Sequence, residues 1–178
     1  MLSAGVAATY SSAYAQGLYG YGDFFYGPVV DGNIIQDLPS LEFQRGNFVK
    51  VPLLVDHEGY EGVIFSNTSE TTFTEEEMDL DRLFPNAPPS YFTNVYSLYA
   101  ADQFNSTFYQ RQTIFGDVFV DCPTYFMASR VADFNQTVFK MRFQAGSELH
   151  GSTIPFLYSS YINRELICFL KHFFSALN

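Results

Sequence analysis

The chain has 178 residues, 47% of them hydrophobic and 19% aromatic, with 20 Phe, 13 Tyr and no Trp. That composition excludes a disordered or low-complexity segment, and the length suits a single domain able to bury a real core. The net charge of −10, from 19 acidic and 9 basic residues with Lys and Arg scattered singly, excludes nucleic acid as a partner, because no basic stripe is available to meet phosphates.

No stretch approaches the roughly 18 consecutive apolar residues of a membrane span. Cys122 and Cys168 make neither a disulfide framework nor a metal-binding pair, and the sequence leaves open whether they bond or stay as buried thiols. No metal-ligand set and no cofactor motif is read. Three N-x-S/T triplets begin at Asn67, Asn105 and Asn135, which favours a secreted, glycosylated protein.

In chain order, residues 6–15 are Ala-rich and read as the end of a helix. They are not expected to be a signal peptide, since no basic stretch precedes them and Ser and Thr break the apolar block. Gly17, Gly20 and Gly22 interrupt Tyr and Phe, so residues 16–26 read as irregular. An apolar run then closes on Asp31-Gly32, a turn signal. Residues 51–55, Val-Pro-Leu-Leu-Val, form the short apolar run expected of a strand buried on both faces of a parallel sheet.

Thr74-Glu75-Glu76-Glu77 reads as a capping box opening a helix to about Leu83, with the acidic run on its solvated face. Pro85, Pro88 and Pro89 break the chain before a second helix over residues 90–101. Residues 114–131 read as helix interrupted at Gly116 and Pro123. Residues 138–143 alternate, with Phe139, Met141 and Phe143 on one side and Lys140 and Arg142 on the other, the period of a strand. Ile162, Leu166, Phe169, Leu170 and Phe173 recur at the spacing of a closing helix.

Two side chains follow strands on loops. Glu61 lies in Glu61-Gly62 beyond the first strand, and His150 lies beyond the second on a loop bracketed by Gly146 and Gly151. The ends of parallel strands are where such folds place functional groups, and a loop histidine there is a candidate general base. Taken singly, each reads more readily as a solvated or capping loop residue.

Four blocks in order carry a resemblance: residues 27–32 (GPVVDG), Pro52-Leu53-Leu54 through Glu61-Gly62, Gly116-Asp117 through Cys122-Pro123, and His150-Gly151 through Ile154-Pro155-Phe156. Together they resemble the C-terminal part of type B carboxylesterases, the family of cholinesterases and many secreted fungal lipases. The resemblance implies an α/β class, the C-terminal portion of an α/β-hydrolase fold with an incomplete sheet and flanking helices. It implies one truncated domain over residues 1–178. It further implies carboxylic-ester hydrolysis by a Ser-Glu-His mechanism without cofactors, Glu61 being the acid and His150 the base, on ester or lipid substrates outside the cell.

The nucleophile is missing from these residues. No G-x-S-x-G occurs in the sequence, although that elbow carries the serine of such hydrolases. The resemblance therefore describes a fragment with acid and base but no serine or oxyanion hole, expected to be inactive alone. Two alternatives stay open: a non-catalytic esterase-like interaction module, or one part of a split esterase whose partner is the missing N-terminal half.

Overall fold

A computed structural model describes residues 27–158 together with residues 12, 13, 15–18, 20 and 22. Most of the stretch over residues 6–26, the closing helix over residues 162–173, and Cys168 lie outside the described residues.

The expected turn at Asp31-Gly32 is held by its own side chain: Asp31 Oδ1 accepts from the amides of Asn33, Ile34 and Ile35 at 2.9–3.0 Å. Helix α1, Pro39–Arg45, begins on a proline and ends at Gly46, whose φ of 77° closes the last turn. Strand β1 is Leu53–Glu58 and strand β2 is Val138–Phe143. They pair in parallel, Leu53 opposite Val138 through Glu58 opposite Phe143, and among the described residues the sheet has these two strands. All the intervening helices belong to the crossover that a parallel pair requires.

The first crossover helix, α2 (Phe73–Leu83), is capped by Thr72, not Thr74. Thr72 Oγ1 accepts from the Glu75 amide at 3.3 Å, and Glu75 Oε2 accepts from the Thr72 amide at 3.0 Å. The sequence contains two overlapping T-x-x-E registers, and the earlier one wins. It brings Phe73 into the helix, where its ring meets Tyr96 with centroids 4.7 Å apart. The acidic run is not wholly solvated either: Glu75 and Glu77 are exposed, but Glu76 is fully buried beside Asp79 and Leu80.

Helix α3, Pro89–Leu98, is shorter than expected and is followed by a separate 3-10 turn at Ala101–Gln103. Helix α4 runs Thr107–Gly116, a π-helical stretch covers Asp117–Asp121, and α5 runs Cys122–Asp133. Residues 107–133 are thus one continuous helical run in which neither Gly116 nor Pro123 is a break. A proline inside an α-helix lacks an amide proton and collides with the carbonyl four residues back; the wider π turn just ahead of Pro123 absorbs both problems. Ile114, Phe115, Ala128 and Val131 from this run join Leu80 and Val55 in the core.

Helix α5 packs on both strands, on the face where Val55 is buried and where His57 Nε2 lies 3.6 Å from Asp121 Oδ2. The opposite face is covered at its Glu58 end and poorly covered at its Leu54 end. Leu54 and Phe139 are ladder partners, so they share that face, and they are 51% and 43% exposed. Strand β1 is therefore not buried on both sides here. Paired apolar side chains left in water on a sheet favour association. Leu54→Lys combined with Phe139→Lys is expected to lower the weight-average sedimentation coefficient at tens of micromolar. A double variant that sediments like the parent would place self-association elsewhere.

Cys122 is a free and exposed thiol, not a buried one. Among the described residues no helix is long and apolar enough to cross a membrane. Asn105 and Asn135 are exposed, while Asn67 is half-buried and its Oδ1 accepts from the Ser69 amide at 3.0 Å.

Candidate active site

Both parallel strands end at the same edge, and the loops leaving them are stitched together. The Gly59 amide donates to Phe143 O at 3.1 Å and the Tyr60 amide to Glu148 O at 2.9 Å. Tyr60 and Leu149 form an isolated parallel bridge that prolongs the sheet by one step. This pairing sets Glu61 next to His150, each one residue past its bridge partner.

A close backbone approach fixes the Glu61 turn from below. A Cβ on Gly62 would lie 1.8 Å from Gln112 O, in the backbone of α4, and one on Gly116 would lie 3.1 Å from Gly62 N. The turn rests directly on the helix, which only a residue without a side chain permits. On the other loop, Gly146 and Gly151 have φ of 68° and 85°, the left-handed region in which glycine is strain-free.

Glu61 is 3% exposed. Its Oε1 accepts from the Glu58 amide at 2.6 Å, and its Oε2 lies 2.5 Å from His150 Nδ1. The His150 side chain is 44% exposed. With Nδ1 turned to the carboxylate, Nε2 is the nitrogen left for another reactant. Phe65, in the 3-10 turn Val63–Phe65 just after Gly62, sets its ring 5.0 Å from the imidazole at 65°. Behind it Phe65 stacks on Phe115, and Phe115 on Phe119, at 5.4 and 4.4 Å.

Burial pushes the Glu61 carboxyl above its ordinary range, and the Glu58 carboxyl beside it pushes the same way. The Glu58 amide and His150 oppose them. Burial also disfavours a charged Glu58, but hydrogen bonds from the Glu61 carboxyl and from Thr153 outweigh it, and Glu58 sits below the ordinary range. Two buried carboxyls this close hold one proton or one counter-charge between them more readily than two bare charges. Glu58, Glu61 and His150 offer ligand atoms within 4.8 Å of one another, a set able to hold a small cation that no motif in the sequence announces. Glu61 Oε2 and His150 Nδ1 already satisfy each other, however.

No serine reaches this pair from its own loop, where Ser147 and Ser152 bond to one another at 2.9 Å. His57 belongs to the opposite face of β1, with Lys140 Nζ 2.7 Å from its Nδ1, and burial lowers its pKa. Sequence reasoning missed Glu58 and Thr153. Thr153 donates its amide and hydroxyl to Glu58 Oε1 at 3.1 and 2.8 Å. The available signal was the matched spacing of Glu58 to Glu61 and of His150 to Thr153, three residues on each loop.

No family model matches the chain, and no curated protein matches it. Among solved structures it is similar to Aspergillus niger EstA, with a TM-score of 0.68 and 22% identity over 78% of this chain. The likeness shows an esterase-like fold, here a partial α/β arrangement of helices around a small parallel sheet. The match spans 29% of that structure's chain.

Proposed function

We propose that this chain carries the acid and base of a Ser-Glu-His carboxylic-ester hydrolase of the type B carboxylesterase kind. The observation behind the reading is the 2.5 Å contact between Glu61 Oε2 and His150 Nδ1 on loops that leave adjacent parallel strands. Serine, oxyanion hole and acyl pocket come from a further segment.

In the complete site, His150 Nε2 takes the proton of the serine hydroxyl as its oxygen attacks the ester carbonyl. The same nitrogen returns that proton to the departing alcohol. Glu61 holds the tautomer with hydrogen on Nδ1 and stabilises the imidazolium formed in between. Substrates are esters or lipids, and the exposed Asn105 and Asn135 triplets agree with a secreted protein. The uncovered Leu54 and Phe139 face favours a complementing N-terminal half over a self-sufficient interaction module.

Loss of a triad serine alone costs on the order of 10⁶ in turnover. Purified on its own, the chain is expected to hydrolyse a short-chain nitrophenyl ester no faster than free imidazole. Supplied in trans with an N-terminal esterase half bearing G-x-S-x-G, it should gain saturable turnover that His150→Ala abolishes. Activity of the isolated chain, or restored activity indifferent to His150, would overturn the assignment.

A further inference from the structure

On the loop carrying His150, Gly146 and Gly151 adopt left-handed backbone on either side of the histidine, and Glu148 does so as well, with φ of 54°. A histidine whose ring must stay on one carboxylate needs this loop tied at both ends. The upstream tie is the bond from the Tyr60 amide to Glu148 O. Downstream, the next bond from this loop to the β1 side runs through Glu58.

Glu58 is the last residue of β1 and is 5% exposed. Its Oε1 receives both the amide and the hydroxyl of Thr153, itself 7% exposed. Its own amide donates to Glu61 Oε1. A single residue therefore touches both loops, orienting the acid with its backbone and anchoring the base's loop with its side chain. Thr153 in turn receives the amides of Phe156 and Leu157 at 2.9 and 3.1 Å, where the last described helix, α6 (Ile154–Tyr158), begins. Phe156 packs on Phe143 of β2 with centroids 5.3 Å apart. The anchored point is thus seated on the sheet as well.

We infer that Glu58 and Thr153 are the positioning pair of this site, a second acid-to-loop contact that holds His150 Nδ1 on Glu61. Burying an additional carboxylate beside Glu61 is unfavourable unless it is hydrogen-bonded. Glu58 meets that condition with two donors from one residue, which a glutamate retained only for strand packing has no need to do. The pair acts through His150 and Glu61 and touches no substrate. The inference rests on the reading of Glu61 and His150 as acid and base.

Carbethoxylation by diethyl pyrocarbonate at a fixed pH, followed by mass spectrometry, gives the reactivity of the free ring nitrogen of each histidine at low micromolar protein, below the self-association expected above. Glu61→Gln tests the underlying reading: without the carboxylate on Nδ1, His150 Nε2 is a weaker nucleophile and should react about fivefold more slowly. Glu58→Ala and Thr153→Val test the positioning pair. Each should slow the same reaction about twofold, because a loosened ring spends less time on its carboxylate, and Thr153→Ser should restore it. The rate at His57, on the other face, should not change. A Glu61→Gln chain with an unchanged His150 rate overturns both claims. Slowing in Glu61→Gln with none in Glu58→Ala and Thr153→Val leaves acid and base standing and removes the positioning pair. Slowing in Glu58→Ala without any in Thr153→Val reduces Glu58 to a nearby charge and also overturns the inference.

Discussion

A Gly62→Ala chain is expected to melt about 10 °C below the parent and to lose the short contact between Glu61 and His150. The added carbon would lie 1.8 Å from Gln112 O, 2.7 Å from Gln112 C and 2.9 Å from Gly116 N. All three are backbone atoms of α4, so no side chain can rotate aside, and the turn must lift off the helix. Overpacking of this kind costs roughly 1–3 kcal/mol. The upper end applies against rigid backbone, and in a chain of this size it corresponds to about 10 °C. Lifting the turn also moves Glu61 away from His150. Gly116→Ala meets its neighbours only at 3.1 and 3.4 Å and gains helix propensity of about 1 kcal/mol, so its melting temperature should stay near the parent's. Equal melting of the two variants, followed by circular dichroism, would mean that the turn does not rest on α4.

Glu76→Gln is expected to stabilise the chain at pH 8 and to change little at pH 5. Glu76 is fully buried, and neither carboxyl oxygen has a hydrogen-bond partner. Arg111, whose Nη2 lies 2.7 Å from Asp79 Oδ2, favours the charged form but does not outweigh the loss of water. Burial lifts Glu76 from its ordinary 4.5 to about 7, and it lifts Glu70 to about 7 as well. The folded state then binds more protons than the unfolded chain between those limits. Its contribution to stability is full below pH 4.5, falls as the pH rises toward 7, and is lost above it.

The gap between 4.5 and about 7 sets a ceiling of roughly 3 kcal/mol. Relaxation around the charge, and the need of a new amide for its own partners, leave about 1–2 kcal/mol, or about 5 °C. Melting temperatures of parent and variant at the two pH values check this. The difference must grow from pH 5 to pH 8; a constant or shrinking difference would mean that Glu76 is not held protonated by the fold.

The local pattern of residues by itself determined where the strands and their following loops lie. Alternation over residues 138–143 marks a strand with the same limits in the fold, and the apolar run at Leu53-Leu54-Val55 lies within β1. That strand extends three residues further, through Asp56-His57-Glu58, because ladder pairing with β2 carries polar residues that apolar pattern alone does not. Glu61 and His150 were readable as loop residues after strands because side-chain alternation and turn glycines are short-range signals.

Only the tertiary structure decided the rest. The choice between two overlapping caps depended on Phe73 finding Tyr96. The passage of one helical run through Gly116 and Pro123 depended on the π turn and on the Glu61 turn seated against it. Burial of Glu76 depended on what packs around α2, and exposure of Leu54 on what does not cover the sheet. The contacts of Glu61 with His150 and of Glu58 with Thr153 join loops far apart in sequence. Periodicity and spacing report only on neighbours along the chain, whereas a buried carboxylate is specified by the donors that reach it through space.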